Sequence, residues 1–211
     1  MPVEEPSTAS KADVCSAKLY RLLDNRTGRA SEFAVDLSSV SLSSQRLLLK
    51  SFTGDDAREA FLAATPTVAR FMSWEPAPSL EAFELTWQSW IPKMRAGTDV
   101  SLAVRYRPSL EFLGTAGLHN TDATEPEVGI WIKESQHGYG YGREAIAIIV
   151  AFAANDLGKQ AMVYPVVEQN GPSRRLAESL GGRIIGTRLL RKPSGVEHLE
   201  VVYRISNPIL N

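Results

Sequence analysis

The sequence predicts an α+β fold, with helices layered on a mostly antiparallel sheet, and three observations predict it. Helical and extended patterns alternate along the chain without an internal repeat. Three strand patterns in a row are joined by short turn-forming segments, which suit antiparallel neighbours. One glycine-rich loop then leads from a strand directly into a long apolar helix, giving a single internal strand–helix–strand passage.

In order, residues 46–50 read as a short strand, and Thr53, Gly54, Asp55 and Asp56 start a helix over 56–64. Residues 66–70 and 79–93 are expected to be helical. Ser79 opens the second piece, Glu81 and Glu84 lie near its positive end, and Gly97 closes it. Strands over 99–106, 112–119 and 127–133 are separated by Arg107-Pro108-Ser109 and by 120–126, both rich in turn formers. After the loop comes a helix whose Ala145, Ile149, Phe152 and Ala153 share one face and which Gly158 ends. A strand over 161–167, a helix over 172–180 with Pro172 in its first turn, and strands over 183–190 and 199–205 complete the pattern.

A chain of 211 residues suits one domain with something extra. Residues 1–42 carry Ser, Thr, Ala and charged residues in quick succession, with short apolar groupings only at 19–23 and 33–40. They read as an N-terminal extension, partly flexible, ahead of a domain over 43–211. Hydrophobic residues at 44% and charged residues at 22% match an ordinary globular protein. A formal net charge of -1 supplies no global basic field, so nucleic acid is not an expected partner. A lone Cys15 makes neither an internal disulfide nor a metal cluster, and no apolar run is long enough for a membrane span. The acidic first residues lack the layout of a secretory leader, so the expected setting is cytoplasmic.

In His137-Gly138-Tyr139-Gly140-Tyr141-Gly142, three glycines alternate between an apolar strand and a helix. Glycine lets the backbone approach an anion, and the unpaired N–H groups of a first helical turn, reinforced by the helix dipole, supply donors together. A Walker loop would need Gly-Lys-Ser/Thr, but Arg143-Glu144 follows Gly142; a dinucleotide fingerprint would need another glycine spacing. A plain flexible linker is the alternative.

This loop resembles the Q/R-x-x-G-x-G/A signature of the GNAT acetyltransferase superfamily, with His137 at the first position and Gln136 one place early. Arg143-Glu144-Ala145 and Glu127-Val128-Gly129-Ile130-Trp131-Ile132 resemble its ribosomal-protein-alanine N-acetyltransferase branch. Asn170-Gly171-Pro172-Ser173, then Leu176 and Leu180-Gly181-Gly182, resembles a second motif of that branch. The resemblance covers roughly 45–205 and implies the three-layer GNAT fold, with acetyl-CoA as co-substrate, and no metal, in a V-shaped opening between splayed central parallel strands over 127–133 and 161–167. It implies an amine acceptor, either a protein N-terminus or a small molecule. It places the backbone of Ile130, Trp131 and Ile132 along the pantetheine arm and the pyrophosphate on His137, Gly138, Tyr139, Gly140, Tyr141, Gly142 and Arg143. Asn170 is placed on pantetheine, Ser173 near the sulfur, and Arg174 within reach of a phosphate.

Direct transfer needs a neutral amine, donors for the developing oxyanion and a proton for the departing thiolate. Cys15, in the extension, is not expected to act as a nucleophile. Glu127, opening its strand, is the leading base, or else a solvated strand-end charge; Glu75 and His119 are the other candidates. Ala177 stands where many members of the superfamily carry a tyrosine acid, which shifts attention to Ser173, with Tyr139, Tyr141 and Tyr164 in reserve. Asn170 and Ser173 are equally fit to cap a helix. Trp74, Trp87 and Trp90 are core or acceptor-pocket residues, and the pairs Arg174-Arg175 and Arg191-Lys192 read as solvated surface. The function expected is N-acetyl transfer to a primary amine by a monomer or homodimer; the alternative is an acetyl-CoA-binding sensor or scaffold without catalysis.

Overall fold

A computed structural model describes residues 35–206, so Cys15 and the 19–23 grouping lie outside the described residues. The strands are β1 Ser41–Ser43, β2 Leu47–Ser51, β3 Asp99–Tyr106, β4 Glu111–His119, β5 Glu127–Ile132, β6 Ala161–Val167, β7 Arg183–Arg191 and β8 Glu197–Ser206. Helices α1 Gly54–Ala63, α2 Pro66–Ala69, α3 Leu80–Gln88 and α4 Trp90–Arg95 connect β2 to β3; α5 Tyr141–Asn155 connects β5 to β6; α6 Gly171–Ser179 follows β6. The strands form one sheet in the order β1-β2-β3-β4-β5-β6-β8-β7. The α+β fold is the one expected, and β8 enters between β6 and β7.

All neighbours are antiparallel except β5 and β6. That parallel pair meets at Glu127↔Val163 alone, with the Val163 N–H donating to the Pro126 carbonyl at 3.0 Å. Beyond it the strands part, because β5 stays in register with β4 from His119↔Glu127 to Gly114↔Ile132 while β6 follows β8 from Ala161↔Ser206 to Val167↔Glu200. The Lys133 N–H donates to the Leu113 carbonyl, so by strand alternation the odd-numbered residues of β5 bond towards β4. The N–H and C=O of Ile130 and the N–H of Ile132 therefore face the opening. Trp131 does not, since its backbone is paired with Thr115 in β4.

Two apolar layers flank the sheet. On one face Ala145, Ile149, Phe152 and Ala153 of α5, the stripe read from the sequence, are at most 1% exposed and pack with Leu102, Val104 and Leu118. On the other, Phe52, Ala57, Ala60, Ala103 and Phe112 pack with Phe83, Trp87, Trp90 and Trp131. Leu102 and Ala103, adjacent in β3, fall in different layers as the pleat requires.

The helix expected over 79–93 is two helices that meet at Ser89. Pro92 has no N–H to donate and is accommodated only in a first turn, so a new helix starts just ahead of it. Ser79 does cap α3, accepting from the Ala82 N–H at 3.2 Å. The packed chain also begins ahead of residue 43. Leu37, Val40 and Leu42 are 0%, 3% and 2% exposed, and each contributes roughly 1.5–3 kcal/mol by burial. The Ser51 hydroxyl donates to the Leu37 carbonyl at 2.8 Å and accepts from the Val40 N–H at 2.9 Å. These apolar residues stand among serines and an aspartate, so average composition hides them.

Candidate active site

The glycine loop sits at the head of α5, beside the opening between β5 and β6. Gly140 is the N-cap residue at φ +79°, a left-handed conformation that disfavours a side chain, and no side chain caps the helix there. The Gly140 carbonyl accepts the Glu144 N–H at 3.1 Å, so the N–H groups of the preceding three residues have no intrahelical partner. Unpartnered N–H donors at a helix start are suited to an anion. His137, at the position where Gln or Arg was expected, donates from Nε2 to the Ile132 carbonyl at 2.7 Å and so ties the loop to the end of β5.

Arg46, read in the sequence only as the start of a strand, braces this loop from behind. It donates from Nε to Glu144 Oε2 at 2.8 Å and from Nη1 to the Tyr139 carbonyl at 3.1 Å, and it lies 4.9 Å from the Tyr141 ring centroid. Tyr139 stacks on Tyr141 at 5.9 Å. Ser44 donates to the other Glu144 oxygen at 2.5 Å. A carboxylate in the first turn of an anion-binding helix opposes the anion, and Arg46 neutralises it. Two other arginines are committed elsewhere. Arg143 donates from Nε to Ser179 Oγ at 3.1 Å, and Arg174 from Nε to the Tyr203 hydroxyl at 3.0 Å.

Below the opening, the Tyr164 and Ser173 hydroxyls are 2.6 Å apart. Burial pushes the Tyr164 phenol up to about 12, against the opposing pull of the Ser173 bond, so Tyr164 keeps its proton at ordinary pH. Asn170 takes the capping role, accepting the Ser173 N–H at 3.3 Å. Ala177 is fully buried against the core.

A cavity of about 430 Å³ runs from this hydroxyl pair to the helical layer, where Phe71, Trp74, Phe83 and Trp90 line it. Trp131 lines its wall and lies 6.0 Å from Trp74. Trp87 belongs to the core beneath, its indole N–H buried without a hydrogen-bond partner among the described residues.

His119 and Asp99 are directly opposite each other on β4 and β3, with Nδ1 2.8 Å from Oδ1. A carboxylate accepts only, so Nδ1 carries the hydrogen, and in the neutral ring Nε2 is then the acceptor. The ring lies over Gly117 and Gly129; a Cβ on Gly129 would stand 3.7 Å from Nε2. A Cβ at either position would touch the imidazole at ordinary van der Waals distance, and at Gly117 it would also stand 2.7 Å from the Val100 carbonyl.

Glu127, the base favoured by the sequence, is otherwise engaged. Arg188 donates to both of its oxygens, at 2.7 and 3.1 Å, and from Nε to Glu200 at 2.5 Å. Taking a proton would break a bidentate charge-assisted pair, which argues against Glu127 as the base. The Arg188 guanidinium is raised chiefly by its bond to Glu127. Glu75 is also held: Ser194 donates to it at 2.6 Å and Lys192 lies 3.2 Å away, and the Ser194 bond lowers its pKa first of all. Lys192, read as solvated surface, is only 7% exposed and donates to the Ala69 carbonyl at 3.0 Å, latching the β7–β8 turn to the chain before Trp74. Arg191 does lie at the surface, paired with Glu197 at 2.6 Å. Neither Arg188 nor Lys192 carries a local sequence signal, because their partners lie 61 and 123 residues away.

Among the described residues no group of three or more His, Cys, Asp or Glu is placed to hold a metal, and no helix is long and apolar enough to cross a membrane. A backbone anion site, an unpaired strand edge and a hydroxyl pair at the foot of one opening are what an acyltransferase needs to hold a long thioester and release its sulfur. The sequence comparison agrees. Residues 46–183 match the acetyltransferase (GNAT) domain, and the chain belongs to that family. Among solved structures, a spermidine N-acetyltransferase from Vibrio cholerae, in complex with CoA and spermine, is similar with TM-score 0.68 at 17% identity, covering 80% of this chain and 100% of that one. A GNAT-family acetyltransferase from Bacillus anthracis gives 0.66 at 19% identity, over 79% and 98%. A ribosomal-protein-S5-alanine acetyltransferase from Vibrio fischeri gives 0.65 at 16% identity, over 81% and 98%. At these identities the likeness is one of fold. No curated protein matches the chain by sequence.

Proposed function

We propose that this protein moves the acetyl group of acetyl-CoA directly onto a primary amine, in the cytoplasm, with His119 as general base and the Tyr164–Ser173 pair as the source of the proton for sulfur. The observation that carries the reading is the convergence on one opening of the loop N–H groups, the free edge of β5 and the hydroxyl pair. Acetyl-CoA supplies the thioester. The loop backbone holds its pyrophosphate, and Ile130 and Ile132 bond its pantetheine arm as an added strand would.

His119 Nε2 takes a proton from the amine while Asp99 fixes the ring and stabilises the imidazolium. The carbon–nitrogen bond forms and the carbon–sulfur bond breaks. A hydroxyl of the Tyr164–Ser173 pair gives a proton to the sulfur and regains one from solvent. Glu127 acts through its ion pair, holding Arg188 across the sheet.

The test is thiol release from acetyl-CoA with an amine present, for wild type and His119→Ala. Wild type should turn over, and the variant should lose about 100- to 1000-fold in kcat with acetyl-CoA affinity unchanged. Undiminished turnover in His119→Ala would remove the imidazole from the mechanism. Absence of thiol release from wild type with every amine would count against transfer itself.

A further inference from the structure

The charges and rings that line the cavity narrow the acceptor. Four carboxylates belong to it: Glu75, Asp99, Glu127 and Glu200. Three fixed cations stand against them. Arg188, paired with Glu127 and Glu200, and Lys93, with no ion pair among the described residues, line the wall, and Lys192, outside the lining, pairs with Glu75 from behind. Counting these fixed charges alone, the balance is one net negative charge. The carboxylate without a permanent cation beside it is Asp99, whose partner is the imidazole itself. Six aromatic side chains line the same cavity: Phe71, Trp74, Phe83, Trp90, Trp131 and Tyr164.

From this we infer, resting on the acetyl-transfer reading above, that the acceptor is a singly charged primary amine carried on an aromatic or bulky apolar body, of the arylalkylamine kind. One ammonium matches the one uncompensated charge and arrives beside His119. The body replaces water against the rings, where apolar contact and cation–π attraction both favour it. A polyamine brings further ammonium groups that would have to leave water for a cavity whose other carboxylates already have cations, with Lys93 repelling them, and a buried charge without a partner is strongly disfavoured. A peptide beginning with alanine offers a small side chain to a wide aromatic wall and leaves much of it unfilled.

The experiment measures acetyl-CoA binding by calorimetry, then kcat/KM by thiol release for 2-phenylethylamine, tryptamine, spermidine and an alanine-starting hexapeptide. The aromatic amines should exceed both others by about tenfold or more, and Trp74→Ala should erase that margin mainly through the acceptor KM. Equal or better turnover of spermidine or the peptide overturns the acceptor class and leaves acetyl transfer standing. Binding of acetyl-CoA with no turnover of any of the four overturns the acceptor class as well. No binding at all overturns the reading beneath it.

Discussion

Around Gly140 the site is made of backbone: a left-handed glycine, the first N–H groups of α5 and the unpaired edge of β5. Around His119 and Trp74 it is made of side chains, positioned by Asp99 from the neighbouring strand and by Arg188, Lys192 and Ser194 from the β7–β8 hairpin. Backbone sites tolerate changes of side chain so long as local geometry survives. Side-chain sites depend on contacts spanning much of the chain and are free to change with the acceptor. The two halves should therefore fail differently when broken.

The largest effect is expected at Gly140. Gly140→Asp adds a negative charge to the loop, with its Cβ 3.7 Å from Arg46 Nη2, and should weaken acetyl-CoA by about a thousandfold, read by calorimetry on protein whose circular dichroism is unchanged. Gly140→Ala carries only the conformational strain of a left-handed residue, about 1–2 kcal/mol of stability, and should keep most of the binding. If Ala and Asp weaken acetyl-CoA equally, backbone geometry rather than the anion governs this half.

Tyr164 belongs to both halves, and its expected effect is on stability. Burial pushes its phenol up to about 12 in the folded protein, against 10.0 unfolded. Below pH 10 both states are protonated and nothing is gained or lost. Between these values the unfolded chain releases its proton first, so stability falls as pH rises, by about 2–3 kcal/mol in all. Denaturant titrations should show that slope in wild type, and Tyr164→Phe should flatten it. An unchanged slope would mean that water reaches the phenol in the folded protein.

The smallest effect should come from Lys192→Met, which removes the donor to the Ala69 carbonyl and the cation beside Glu75. It should raise the acceptor KM about tenfold and leave acetyl-CoA affinity within about twofold, because the latch shapes only the acceptor wall. A matching loss of acetyl-CoA affinity would show that the halves are coupled through the sheet.

The legibility of the two halves in the sequence follows the same division. The loop, the long helix and the strand beside it are each set by residues within a few positions of one another, so spacing exposed them, while the Asn170–Ser173 turn stood out through its resemblance to a family motif. Asn170 turned out to cap α6, one of the two roles its position allowed. On the acceptor side the residue types were visible, but their commitments were not. Glu127 and Glu75 looked like free carboxylates until the hairpin brought Arg188 and Lys192 to them. His119 looked like a lone histidine until β3 and β4 came into register and set Asp99 opposite it. The break at Ser89 was readable from Pro92, whereas the packing of Leu37 and Val40 was not, because it depends on the Ser51 hydroxyl, 14 and 11 residues away.

By itself, the sequence determined the α+β class, the order of the elements and the position of the glycine loop, since helix periodicity, turn chemistry and glycine geometry act over one or two turns of chain. Only the tertiary structure decided which carboxylates are spent in ion pairs, which histidine is oriented, and that β8 lies between β6 and β7. Those outcomes depend on groups as much as 123 residues apart meeting at hydrogen-bond distance, and no local preference encodes such a meeting.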